Sequence, residues 1–207
     1  MKGLCFAASV AMLACTAAGL AQTQVSCGSI LDAPLRSRAS LNIDSRPAGL
    51  EIVGTDRETI HVTCTYDDRG DEEDVRIRFA GAGDNAKLTI SGGTLHTNNL
   101  KIHIEVPRRT SVRVRMSAGQ VTMDDVAGDK DVELTAGQIS LRGLHTRDYR
   151  RVDASVDVGQ VSAPVYGADK GGFFRSFTKS QPDGEYLLRA HVTTGQIELE
   201  GSGETAQ

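Results

Sequence analysis

The chain contains no tryptophan, and aromatic residues of all kinds make up only 4% of it. A core must therefore be assembled from Val, Ile, Leu, Met and Ala. No block of Lys or Arg occurs and the formal net charge is −4, which argues against phosphate-backbone binding, hence against nucleic acid as the main partner. Beyond the first 21 residues, no apolar run approaches the ~20 residues of a membrane span. No segment has a convincing 3.6-residue hydrophobic period, so almost no helix is expected. Gly-x-Ser-x-Gly elbows, His-Glu-x-x-His pairs and phosphate-cradling glycine loops are all missing. With 207 residues, the chain has the length of one domain, or at most two small ones.

Residues 1–21 read as a secretory signal peptide. Lys2 supplies the positive start, Gly3 to Ala18 is uncharged and apolar, and Gly19-Leu20-Ala21 offers small residues for a cut before Gln22. A transmembrane helix is the alternative, but the stretch is short and has no charged stop-transfer flank. A lipoprotein cut before Cys15 would place bulky Leu13 where small residues belong. The expected location is outside the cytoplasm: periplasmic, outer surface or secreted. Cys5 and Cys15 leave with the peptide. Cys27 and Cys64 remain as an even pair in an oxidising compartment, so one disulfide is expected, with two unrelated thiols as the alternative. It would close a loop of about 38 residues, to which chain entropy assigns roughly 4 kcal/mol. Two cysteines without a clustered His pair are too few for a metal site, and no cofactor is expected.

Four segments share one spelling: Ser117-Ala118-Gly119-Gln120-Val121, Thr135-Ala136-Gly137-Gln138-Ile139, Asp157-Val158-Gly159-Gln160-Val161 and Thr193-Thr194-Gly195-Gln196-Ile197. From Gly to Gly the steps are 18, 22 and 36 residues. Apolar residues alternate with polar ones before each Gly (Val114 and Met116, for example) and after it (Val121 and Met123). That pattern is strand, bend, strand. Self-similarity at this period predicts a β-solenoid with about 18-residue coils, single-stranded and of parallel β-helix or β-roll type. Stacked in register, Gln120, Gln138, Gln160 and Gln196 would form a ladder of side-chain amides; a ligand-binding stripe is the other reading.

Residues 22–40 lack clear periodicity and are expected to form an N-terminal arm around Cys27. Alternation starts at Leu41 and Ile43. It continues through Leu50 and Ile52, through Ile60, Val62 and Cys64, and through Val75, Ile77 and Phe79. Leu88 and Ile90 follow, then Ile102, Ile104 and Val106. Pro47-Ala48-Gly49 and Gly54-Thr55-Asp56 read as turns between strands. These strands are expected to be irregular and to precede the solenoid in one domain, 41–201, with 202–207 as a tail. Residues 168–184 interrupt the repeat and read as an insertion loop. They hold Phe173, Phe174 and Phe177, three of the five phenylalanines, beside Arg175. Such a cluster either caps the open end of the core or binds a partner.

Ile102-His103-Ile104-Glu105-Val106-Pro107 runs into Val112-Arg113-Val114 and then the repeated Ser/Thr-x-Gly-x-Ile/Val units. In this the chain resembles a bacterial family of unknown function whose members are called adhesin-type or β-strand-repeat domains, a label resting on architecture. The resemblance runs from about Leu41 to Gly201. It implies an exported β-solenoid and carries over no catalytic residue.

The charged clusters offer little chemistry. Asp67-Asp68-Arg69-Gly70-Asp71-Glu72-Glu73-Asp74 lacks the spacing of a twelve-residue Ca²⁺ loop and reads as a solvated hairpin. His61, His103 and His191 sit between apolar strand residues and should point outward. Asp124, Asp125, Asp129 and Asp131, with Arg142, Arg147, Arg150 and Arg151 nearby, suggest an alternative function as a Ca²⁺-dependent, lyase-like carbohydrate enzyme. The expectation preferred over it is a non-catalytic, exported module of the cell envelope, structural or adhesive. Its ligand would be an envelope glycan or protein, and Phe173, Phe174, Arg175 and Phe177 the candidate binding residues. The sequence leaves the oligomeric state open.

Overall fold

The computed structural model describes residues 21–66, 75–82, 84–92 and 100–202. The signal-peptide stretch, the acidic run 67–74 and the end of the tail lie outside these residues. The described chain forms thirteen strands in one sheet. They are β1 (Ala21–Ser26), β2 (Leu31–Pro34), β3 (Ser40–Ser45), β4 (Ala48–Thr55), β5 (Thr59–Tyr66), β6 (Arg76–Ala82) and β7 (Asn85–Ser91). Then come β8 (Leu100–Pro107), β9 (Ser111–Asp124), β10 (Lys130–Leu144), β11 (Tyr149–Ala163), β12 (Ala168–Ser180) and β13 (Tyr186–Gly201). Among the described residues, two short 3-10 turns, Thr146–Asp148 and Pro164–Tyr166, lie between the strands.

The repeat strands are longer than a straight strand of this topology could be. Val112 pairs with Lys130 and Met123 with Leu141, in parallel. The chain must therefore return from Asp124 to the start of β9 within residues 125–129. Five residues reach at most roughly 18 Å, whereas a straight β9 would run about 40 Å. So β9 folds back on itself, and the bend lies at Gly119, with φ of 130°. The buried positions shift phase across it: Val112, Val114 and Met116 before, Val121 and Met123 after. Both halves then face one core. The same inward positions are buried in β10, β11 and β13, as the alternation in the sequence requires.

The bend excludes side chains at its inner corner. A Cβ on Gly137 would lie 1.8 Å from the carbonyl oxygen of Gly119, a separation no substitution can accommodate without moving backbone. Gly119, Gly137, Gly195, Gly159 and Gly172 lie side by side across the sheet.

This arrangement corrects the expected solenoid. The sheet is mixed and open, with the order β1-β6-β7-β3-β9-β10-β13-β11-β12. The fourth repeat, β13, lies between the second and third, so the chain does not advance coil by coil. The insertion loop is corrected too. Ala168–Ser180 form β12, which pairs antiparallel with β11 after a turn closed by Gly167 at φ 68°. The 36-residue step is thus a reversal along β12 and a return through β13. The 22-residue step is the longer link that carries β11 past the place β13 fills.

The earlier strands are regular rather than irregular. The sheet forks at β9. Its first half pairs with β3, which leads through β7 and β6 to β1. Its second half pairs with β4, which leads through β8 and β5 to β2. The expected N-terminal arm supplies β1 and β2, the outermost strand of each branch. Ala48, Gly49, Gly54 and Thr55, read as turn residues, belong to β4 instead. Gly54 is needed there because a Cβ would meet the Asp125 carbonyl at 2.1 Å.

Cys27, just past β1, is bonded to Cys64 on β5. The disulfide therefore ties the end of one branch to the next-to-last strand of the other. Reduction is expected to lower unfolding free energy by about 4 kcal/mol, measured by urea denaturation with and without dithiothreitol. Gly137→Ala is expected to cost at least ~3 kcal/mol, while Gly171→Ala, with nothing within 4 Å of the new Cβ, should stay near neutral in the same assay.

Candidate functional site

The register that stacks the seam glycines also aligns Gln120, Gln138, Gln196 and Gln160, in that spatial order. Each follows a bend and points to the outer surface. Gln120 is exposed and the other three are half-buried. The amides do not form the expected ladder. Among the described residues, the side-chain hydrogen bond in this row is Gln160 Nε2 donating to Asp169 Oδ1 at 2.8 Å. With glycine beside each amide, the row borders a shallow open groove that ends at Gly171 and Gly172 on β12. Strands stand about 4.8 Å apart, so polar groups recur along the groove at that interval.

At its other end the groove meets a deeper cavity of about 630 Å³ on the outer face of β5, β8, β4 and β9. Gly49 pairs with Gln120 and, lacking a side chain, leaves the floor low. Thr63, Thr65, Lys101, His103, Thr122 and Arg142 line the walls. His103 Nδ1 lies 3.1 Å from Glu51 and its Nε2 3.7 Å from Glu105. Both ring nitrogens thus face carboxylates, an arrangement that braces the ring. Arg142 Nε pairs with Glu200 at 3.3 Å.

The Phe-rich segment divides. Phe177 is 8% exposed and packs its ring 5.4 Å from that of Tyr166, at the end of the core. Phe173 and Phe174 are 69% and 81% exposed. Arg175 Nε donates to the Gly171 carbonyl at 2.8 Å. The four residues do not form one surface.

Three of the four turn carboxylates are engaged by neighbours. Asp125 pairs with Arg108. Asp129 accepts the Leu187 backbone N–H at 2.7 Å. Asp131 lies 2.9 Å from both Arg113 and Arg115. Burial pushes the Asp131 carboxyl up, but Arg115 and Arg113 outweigh it and hold it below the usual range. Among the described residues, no three His, Cys, Asp or Glu side chains stand close enough to hold a metal ion. His61 meets Asp32 at 2.7 Å, and His191 meets Ser155 at 2.9 Å.

Lys130, outside every candidate set above, is 1% exposed. It occupies the inward position held by Val112 in β9, Leu188 in β13 and Val152 in β11. A cation in that apolar register is the signal that the repeat alignment contained. Its ammonium donates to the carbonyls of Val126 and Gly128 and to the Tyr149 hydroxyl, and sits 4.6 Å from the centre of that ring. Burial lowers its pKa to about 7, against smaller upward pulls from Asp148 and Asp129. Burial likewise pushes the Tyr149 phenol up.

No family model matches the chain, and no curated protein does. Among solved structures, it is similar to a "putative cell adhesion protein" from Clostridium sporogenes, at 13% identity and a TM-score of 0.53. The likeness covers 84% of this chain and 99% of that one, and it is a likeness of fold.

The Lys130 pKa is lower folded than unfolded, so the unfolded chain binds more protons between pH 7 and about 10.5. Unfolding free energy should therefore rise across that window, by up to roughly 1.4 kcal/mol per pH unit. Below pH 7 the cost of the buried charge is fully present. Lys130→Met should flatten the rise in urea melts taken at stepped pH.

Proposed function

We propose that the protein is a non-catalytic, exported module of the bacterial cell envelope, adhesive in role, whose groove holds an extended envelope glycan. The observation that carries this reading is the continuity of the cavity at Gly49 with the row of Gln120, Gln138, Gln196 and Gln160. Amides donate and accept, so they suit hydroxyl and acetamido groups. Their spacing is set by strand pairing, so a polymer crossing the strands meets one amide per strand. The seam itself carries no charge, which favours a neutral chain over an anionic one. A rigid sheet holds these groups in place before the ligand arrives, which lowers the entropic cost of binding.

Export accords with the Cys27–Cys64 bond, since such disulfides persist in oxidising compartments. Among the described residues, no helix is long and apolar enough to cross a membrane. The adhesive role draws support from the name of the Clostridium sporogenes protein, whose fold this chain shares.

The reading is tested by calorimetric titration with oligosaccharide fragments of envelope glycans. Wild type should bind saturably. The double variant Gln138→Ala, Gln196→Ala should bind about tenfold or more weakly, each lost hydrogen bond counting for about 1 kcal/mol. Equal affinity of the two proteins, or glycan cleavage by wild type, would sink the proposal.

A further inference from the structure

A second surface stands at the free edge of the sheet. Strand β12 closes the strand order, and its outer side pairs with nothing among the described residues. Phe173 and Phe174 project from it into solvent. Phe174 holds φ at 51°, a left-handed conformation that is strained for a bulky aromatic residue. Two bonds brace the protruding chain: Arg175 Nε to the Gly171 carbonyl, and Lys170 Nζ to the Ser176 carbonyl at 3.0 Å. Phe177, three residues on, turns inward and is buried. The segment thus buries one ring and holds two others out against backbone strain.

The charges here run against the rest of the chain. β12 carries Lys170, Arg175 and Lys179 against Asp169 alone, and Asp169 accepts the Gln160 amide. On the neighbouring β11, Asp153 is paired with Arg151 and Thr178, and Asp157 lies in the register gap across from Phe174. The edge strand is cationic in a chain of net charge −4.

We propose that this knuckle is a peripheral membrane contact. The rings of Phe173 and Phe174 enter the interface of an anionic phospholipid bilayer, and Lys170, Arg175 and Lys179 reach its headgroup phosphates. Aromatic rings settle at the boundary between headgroups and acyl chains, while Lys and Arg lay their stems along apolar surface and keep their charge in the polar layer. Neither part suffices alone: two rings bury little area, and three cations are screened by salt. Together they give reversible docking that leaves the groove open. This inference does not rest on the glycan reading.

The chain has no tryptophan, so Phe174→Trp places a single fluorescent reporter at the tip. Its emission should shift to the blue on vesicles of phosphatidylcholine with phosphatidylglycerol. It should stay unchanged on pure phosphatidylcholine, and added salt should reverse the shift. In sedimentation with the anionic vesicles, the double variant Phe173→Ser, Phe174→Ser should bind about tenfold less than wild type. Lys179→Gln should bind severalfold less. Circular dichroism checks that these surface variants fold, and all share one N-terminus, so differences report β12. Unchanged emission on anionic vesicles, or equal sedimentation of wild type and double variant, would overturn the proposal. A shift with a soluble glycan or an envelope protein but none with vesicles would overturn it as well.

Discussion

At the seam, the backbones around Gly119, Gly137, Gly195 and Gly159 approach so closely that no Cβ fits between them, and most of the architecture follows from that contact. Gly119, Gly137, Gly195 and Gly159 let each long strand fold back over one core. Because the approach is backbone against backbone, it fixes register as well as curvature. A slip of one residue would press a glutamine or an alanine into the corner, and would turn every inward Val, Ile and Leu to solvent. The seam thus does for this sheet what a turn does for a hairpin. The groove and its row of amides are the outer face of the same corner.

Much of this was legible in the sequence. The alternation around each Gly named the buried positions correctly, from Val114 and Met116 through Ile197 and Leu199. The bond between Cys27 and Cys64, expected because they form an even pair, is present. Strand order was not legible, because one repeat looks alike to every neighbour. The apolar faces of β10 and β11 would suit each other as well as they suit β13, so local pattern could not say which came between. The antiparallel β12 was hidden by its own glycines and exposed phenylalanines, which mimic a loop. Of the candidate binding residues, Phe177 proved to be core, and its ring contact with Tyr166 spans a distance that no local pattern encodes.

The polar groups divide by position. Ion pairs such as Arg113 with Asp131, and Arg151 with Asp153, run between or along strands on the outer face, where water screens them. They set cross-strand fit more than stability. Lys130 is different, being enclosed and bound on three sides. It takes a slot that could hold Val or Leu, and in exchange fastens the 125–129 turn to the start of β11. A buried cation of this kind favours one arrangement of its neighbours over others.

The position of β13 governs when the molecule can become itself. It is the last of the described strands and a central one in the sheet, bonded on one side to β10 and on the other to β11. A polypeptide emerging N-terminus first must keep that berth vacant until β13 itself arrives. Until then β10 and β11 present unpaired edges that premature closure or a neighbouring molecule could fill. Completion is therefore a late, all-at-once event.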